Sequence, residues 1–166
     1  ILICRLKPWM AIEVAKNYQK YLDLQILNSP QKGVSFQRNF AASFGKFDNL
    51  IFLDADTQIK KDFLITLKNY LEKCPEVSAL TSYNIPISNN LLDKLVYGFF
   101  NIFILNAFQK INPVAVGTFI YVKKEVFNKI KGFDNNLIYG EDVNFVKRVA
   151  KSGYKFKVFK KPPIYF

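Results

Sequence analysis

The sequence of 166 residues holds thirteen acidic side chains and no histidine. Ser-His-Asp triads, Cys-His nucleophile pairs, His metal ligands and His general bases are thereby excluded, so acid-base or metal chemistry falls mainly to carboxylates. Two acidic groupings stand out. Asp54 and Asp56 follow directly on the apolar run Leu50-Ile51-Phe52-Leu53. Open α/β sheets bind ligands beyond the carboxyl ends of their strands, and in an extended segment alternate side chains face the same way, so both carboxylates can serve one cavity. Like charges that close repel; a hard divalent cation, Mg2+ or Mn2+, relieves the repulsion while bridging to substrate phosphates. A solvated turn with Asp56 and Thr57 capping the next helix explains the same residues. The second grouping, Gly140-Glu141-Asp142, opens a helical pattern. The macrodipole favours acids in a first helical turn, and a carboxylate there that faced a metal site would also serve as general base.

The elements that must carry these groups alternate along the chain without a repeat or linker. Residues 1–4 read as a strand, and Ala11, Val14, Ala15, Tyr18, Tyr21 and Leu22 follow a helical rhythm. Residues 24–27 read as a short strand, Phe36, Phe40, Ala41 and Phe44 as a helix stopped near Gly45, and 50–53 as a strand with no polar alternation, hence buried on both faces. A helix marked by Phe63, Leu64, Leu67, Tyr70 and Leu71, a strand over 77–81 and a very apolar helix over 91–109 follow. The end of the chain reads as a strand over 116–122, a short helix over 124–130, a helix over 141–151 closed by Gly153, and a strand over 155–159 before Pro162-Pro163. Strand and helix in turn predict an α/β fold with an open, mostly parallel sheet and helices on both faces.

Half of the residues are hydrophobic and only 22% charged, which excludes intrinsic disorder and supports one sizeable core. The formal charge of +11 suits an anionic partner or a lysine-rich solvated surface. Its lysines are dispersed, with modest clustering at Lys155, Lys157, Lys160 and Lys161, and few aromatics interleave with them, so no nucleic-acid partner is expected. Cys4 and Cys74 stand in no metal or redox spacing and suggest buried thiols in a reducing compartment. No secretory signal is read at the start, and the longest uncharged apolar stretch, 95–109, is shorter than the roughly 20 residues a membrane span needs. In the helix over 91–109, Leu92, Leu95, Val96, Phe99, Phe100, Phe103, Ile104 and Phe108 cover more than half the circumference, which predicts either core burial or contact with a membrane surface.

Taken in order, Gly33-Val34-Ser35-Phe36-Gln37-Arg38-Asn39, Leu50-Ile51-Phe52-Leu53-Asp54-Ala55-Asp56-Thr57, Gly117-Thr118-Phe119-Ile120-Tyr121-Val122 leading through Phe127 to Gly132-Phe133-Asp134, then Gly140-Glu141-Asp142 and Gly153-Tyr154 resemble the landmarks of family 2 glycosyltransferases. Each motif is weak singly, but their order and spacing are specific, and the resemblance runs from about Glu13 onward. It implies a GT-A-like, Rossmann-like fold that transfers a sugar from a nucleotide-diphosphate donor to an acceptor hydroxyl, usually with inversion. By that analogy Asp56 holds the metal, Asp54 lies toward the ribose and metal, and Arg38 lies near the nucleotide. Asp142 is the base and Glu141 its neighbour in the acceptor site. The implied partners are a nucleotide sugar and a saccharide or lipid-linked acceptor, at a cytoplasmic location on or near the inner face of the membrane.

The chain departs from the family pattern at its start. An earlier strand and nucleotide-contacting loop are missing, Arg5-Leu6-Lys7-Pro8-Trp9 stands where an acidic run is usual, and Phe166 stands near the place of a further metal-ligating histidine. The expectation is one glycosyltransferase-like domain over 1–166, truncated at the N-terminus and catalytically weak in isolation. Two other readings compete: a non-catalytic binding module that keeps the old fold, and a haloacid-dehalogenase-like phosphatase with Asp54 as nucleophile and Asp56 as acid-base partner.

Overall fold

A computed structural model describes residues 10–88, 90–107, 109 and 112–166. The strand expected over 1–4, and Cys4 with it, lies outside the described residues. Four strands form one sheet in the order β1 (Asn49–Leu53), β3 (Phe119–Lys123), β2 (Val77–Ile85), β4 (Lys155–Tyr165). β3 runs antiparallel to both of its neighbours, and β2 and β4 are parallel. The α/β alternation stands, with a described sheet that is mixed. Apolar periodicity reports which faces are buried, and it is silent on the direction in which a strand runs.

The two faces of the sheet follow from the period-2 alternation of its strands. Leu50 and Phe52 of β1, Ile120 and Val122 of β3 and Ala79 of β2 point to one side, where they meet Ala42 of α2 (Val34–Ser43), Val126 and Phe127 of α5 (Lys124–Lys129), and Phe145, Val146 and Val149 of α6 (Glu141–Lys151). Phe119 and Tyr121, Val77 and Leu80, Phe159 and Ile164 point to the other side and pack on Phe63 and Leu67 of α3 (Phe63–Lys73), with Ile51, Leu53 and Cys74 at the margin. Helices therefore cover both faces, and β1 is flanked on both as its unbroken apolar run predicts. Phe63 is fully buried, edge-on to Phe119 and Phe159 at 5.1 and 5.7 Å. Burying such a ring contributes roughly 1.5–3 kcal/mol from area alone.

Several boundaries differ from the sequence reading. Helix α1 covers Met10–Tyr18, and residues 24–27 make a single bridge at Gln25 instead of a strand. α2 turns Ser35, Arg38, Ala41 and Ala42 inward, while Phe36 stacks on Phe40 and Phe40 meets Phe44 edge-on along a partly exposed side. β4 runs on through Pro162 and Pro163. Proline cannot donate to a ladder; here both prolines fall in the register shift between the pairs Ser82 with Phe159 and Asn84 with Ile164, where no such bond is required.

The segment 91–109 is not one core helix. α4 (Leu91–Phe99), capped by the Asn90 side chain on the Leu92 N–H, buries no residue, and it continues as a π-helical turn, Phe100–Ala107, in which Asn101 and Leu105 are buried. No helix among the described residues is long and apolar enough to cross a membrane.

Candidate functional site

The site forms where the carboxyl end of β1 meets the N-terminus of α6. Past Leu53 the Asp54 N–H still donates to the Thr118 carbonyl (3.1 Å), and the Thr57 N–H then donates to the Asp54 carbonyl (3.1 Å). The chain thus turns at 54–57 instead of staying extended, so the strand-alternation argument that aimed Asp54 and Asp56 the same way does not hold. Asp54 is partly covered at the strand end, and Asp56 sits exposed on the turn. Among the described residues, Thr57 Oγ1 is buried without a hydrogen-bond partner.

Across from this turn, α6 begins at Gly140, whose φ of 71° is left-handed and readily adopted by a residue without a side chain. Glu141 and Asp142 fill the first turn, where the macrodipole favours them. Asp142 Oδ1 accepts from the Val143 N–H at 2.7 Å. Burial pushes the Asp142 carboxyl above its ordinary value, with the neighbouring Glu141 charge adding to the push; the Val143 N–H and the Arg38 guanidinium pull the other way.

Arg38 joins the two sides. Its Nη2 donates to Asp54 Oδ1 at 3.0 Å and to the Gly117 carbonyl at 2.9 Å, and its Nη1 donates to Glu141 Oε1 at 3.0 Å. The side chain is only 3% exposed, against 23% for Asp54 and 14% for Glu141. Its guanidinium also lies over the Phe133 ring, 5.2 Å from the centroid. The adjoining Asn39 fastens the same loop: its Nδ2 donates to the Phe133 carbonyl and Asn135 Oδ1, and its Oδ1 accepts from the Phe133 N–H. The Arg-Asn pair thus ties α2 to the strand end, to α6 and to the loop after α5.

Four of the five residues singled out from the sequence, Arg38, Asp54, Glu141 and Asp142, meet around Gly117. A Cβ on that glycine would sit 3.2 Å from Arg38 Nη2 and 3.4 Å from Asp142 Oδ2, so absence of a side chain is what lets the carbonyl and the two charged groups close together. Arg38, expected to face a nucleotide, spends three of its five N–H donors on protein acceptors and is itself only 3% exposed. The sequence reading did not single out Gly117 or Phe133 by role. Nor did it see the buried relay behind them, in which Thr118 Oγ1 donates to Asn84 Oδ1 at 2.7 Å while Asn101 exchanges two hydrogen bonds with the Asn84 backbone. A glycine just ahead of an apolar strand was the one available signal.

Among the described residues no group of three or more His, Cys, Asp or Glu side chains is arranged to hold a metal on its own. The charge balance nonetheless suits a cation. Three carboxyl groups share one guanidinium at the convergence, with Asp56 one residue beyond Ala55 on the exposed turn. Two hard carboxylate donors with the remaining positions left to substrate oxygens and water fit Mg2+ or Mn2+, which are ordinarily held that way.

Comparison with known proteins agrees with this architecture. Among the solved structures similar in fold are the mannosyltransferase PcManGT of Pyrobaculum calidifontis in complex with GDP-Man and Mn2+ (17% identity, TM-score 0.71, 96% of this chain and 44% of that one), and TarS 1–349 of S. aureus in complex with UDP-GlcNAc (16% identity, TM-score 0.69, 96% and 46%). The chain therefore spans less than half the length of these GT-A glycosyltransferases, whose fold it shares. No curated protein matches it in sequence. The profile of glycosyl transferase family 2 matches residues 11–131, most of the chain. The chain belongs to glycosyl transferase family 2.

Proposed function

We propose that the chain carries the donor and base side of a nucleotide-sugar-dependent glycosyltransferase. The observation behind this reading is the convergence of Asp54, Glu141 and Asp142 on Arg38 and Gly117, where β1 ends and α6 begins. Asp142 is the general base. Burial makes its carboxylate a better proton acceptor than an exposed aspartate, and it takes the proton of an acceptor hydroxyl as that oxygen attacks the anomeric carbon. The bond from that carbon to the diphosphate oxygen breaks on the opposite side, so the nucleoside diphosphate leaves and the configuration inverts.

Asp54 and Asp56 would hold Mg2+ or Mn2+, which when bound neutralises charge on the departing diphosphate. Glu141 flanks the acceptor site. Arg38 acts on the donor through Asp54, fixing that carboxylate in place, because its own side chain is buried and both terminal nitrogens are bonded to protein acceptors. The donor is a nucleoside-diphosphate sugar, a reading supported by the ligands of the two similar structures. The acceptor is a saccharide or a lipid-linked saccharide, handled at the cytoplasmic face of a membrane. Membership of the glycosyltransferase family sets aside the phosphatase alternative.

Calorimetric titration of GDP and UDP, with and without Mn2+, into the natural protein and into Asp56→Ala tests the assignment. Metal-dependent binding that disappears in the variant is the expected result. Equal binding by both proteins, or binding indifferent to Mn2+, overturns the cation site. Nucleotide binding without transfer from any nucleotide sugar supports the non-catalytic module instead.

A further inference from the structure

Among the described residues, α4 and the π-helical turn after it leave an apolar stripe without a partner. Leu92, Leu95, Val96 and Phe99 follow the i, i+3, i+4, i+7 spacing of one helical face, and Ile102 and Phe103 extend it. These six are between 47% and 68% exposed, and the Phe99 and Phe103 rings stack at 4.4 Å. A patch of this kind on a soluble surface marks a docking site. Asp93 lies in the first turn of the helix, and the exposed charge on the helix itself is Lys94. Tyr97 packs edge-on against Phe166, which follows the end of β4; β4 carries the exposed Lys160 and Lys161, and Lys60 lies over Tyr165.

We infer that this stripe seats the chain on an anionic bilayer, with the helix lying in the headgroup layer and Lys94 and other exposed lysines of the basic chain meeting lipid phosphates. Charge decides between the possible occupants. A second copy would bring another chain of formal charge +11 against this one, whereas an anionic surface is attracted by the same charge and takes up apolar side chains at its interface. The docked helix has a fixed relation to the carboxylate site. Asn101 of the π-helical turn bonds both ways with the Asn84 backbone, and the Asn84 side chain accepts from Thr118, next to Gly117. Seating the stripe on lipid therefore fixes the distance of the site from the membrane. The inference goes beyond sugar transfer and does not require it.

Co-sedimentation with vesicles reads it without any transferase assay. The probes are phosphatidylcholine vesicles with and without about one-third phosphatidylglycerol. The natural protein is expected to sediment with the anionic vesicles only, and to be released as salt rises from about 0.1 to about 1 M, which shortens screening from roughly 10 to 3 Å. Leu92→Ser/Leu95→Ser/Phe99→Ser alters exposed side chains of a helix that buries none, so its melting should be unchanged and its partition roughly tenfold weaker or more. A second variant, Lys94→Glu/Lys160→Glu/Lys161→Glu, should lose the preference for anionic lipid. Three results overturn the inference: no sedimentation of the natural protein, undiminished sedimentation of a folded serine variant, or a light-scattering dimer that the serine changes dissolve while vesicles are ignored.

Discussion

Replacing Arg38 by methionine tests the centre of the structure, because the site is held by one cation between groups distant in sequence. Arg38 lies 16 residues from Asp54 and 103 from Glu141, and bonds to each at 3.0 Å from a side chain that is 3% exposed. Methionine fills much of the volume and supplies no charge. It leaves two partly covered carboxylates facing one another and the Gly117 carbonyl without its donor. Removing one partner of a buried pair typically costs about 3–5 kcal/mol. Asp54 and Glu141 retain 23% and 14% exposure, so water offsets part of this and about 2–4 kcal/mol is expected. In a domain of this size each kcal/mol lowers Tm by roughly 2–4 °C.

Urea and thermal unfolding at neutral pH measure the loss. Two companions identify its cause. Arg38→Lys keeps the charge but cannot span both carboxylates and the carbonyl, so it should fall between the natural protein and the methionine variant. Adding Asp54→Asn and Glu141→Gln to Arg38→Met removes the orphaned charges and should recover at least half the loss, since an uncharged trio carries no such penalty. If Arg38→Met unfolds within about 1 kcal/mol of the natural protein, or the triple variant is worse than the single one, the reasoning fails: Arg38 is then packing and not the electrostatic tie between β1 and α6.

Gly117→Ala places a Cβ 3.2 Å from Arg38 Nη2 and 3.4 Å from Asp142 Oδ2, tighter than the guanidinium can accept without shifting; a loss of about 1–2 kcal/mol in urea unfolding, with weaker Mn2+-dependent nucleotide binding, is expected. Asn101→Ala strands the buried N–H and carbonyl of Asn84 and should cost about 2–3 kcal/mol, measured by the same unfolding experiment. Asp142→Asn removes a carboxylate that burial raises. The folded protein holds a proton there more tightly than the unfolded chain does, so the natural side chain favours the fold below the ordinary aspartate value of about 3.9 and loses that advantage as pH climbs through the raised folded value. The variant should therefore be the more stable protein at pH 7, with the difference fading toward pH 4, and it should transfer no sugar. A variant less stable at every pH would contradict the assigned burial.

What the sequence disclosed depended on whether the signal was local. α6 matches its expected limits of 141–151 because a left-handed glycine, an acidic first turn, apolar spacing at Phe145, Val146 and Val149, and Gly153 all act within that stretch. The run 50–53 likewise announced a strand covered on both faces. β4 was cut short at the prolines because a register shift in its partner β2, far away in sequence, is what tolerates them. α2 was partly legible for a related reason. Its apolar spacing marked a helix without telling which face is buried, and that face carries Arg38, whose burial is offset by carboxylates from β1 and α6 and by the Gly117 carbonyl. The candidate carboxylates themselves were legible as residue types after a strand and before a helix; Arg38 stood out only through the family resemblance, as a residue near the nucleotide, and nothing local marked it as the cation that joins them.

The same contacts explain why a chain with a formal charge of +11 can assemble a negative site. A guanidinium anchored between two carboxylates and a carbonyl cannot also neutralise the third acid: Asp142 bonds locally to the Val143 N–H, and its carboxyl is raised by burial despite the nearby arginine. The lysines are spread elsewhere, and among the described residues those that make salt bridges do so with other, exposed acids, such as Lys155 with Glu76. Local negative charge therefore survives inside a positive envelope. An approaching anion is drawn in by the envelope over a Debye length of about 10 Å and then repelled at the carboxylates unless a divalent cation comes with it. Under the proposed function, that ordering predicts nucleotide capture that depends on both metal and salt. If raising ionic strength left the Mn2+-dependent association rate of a nucleoside diphosphate unchanged, the outer positive charge would have no part in capture, and the site would have to be reached by contact alone.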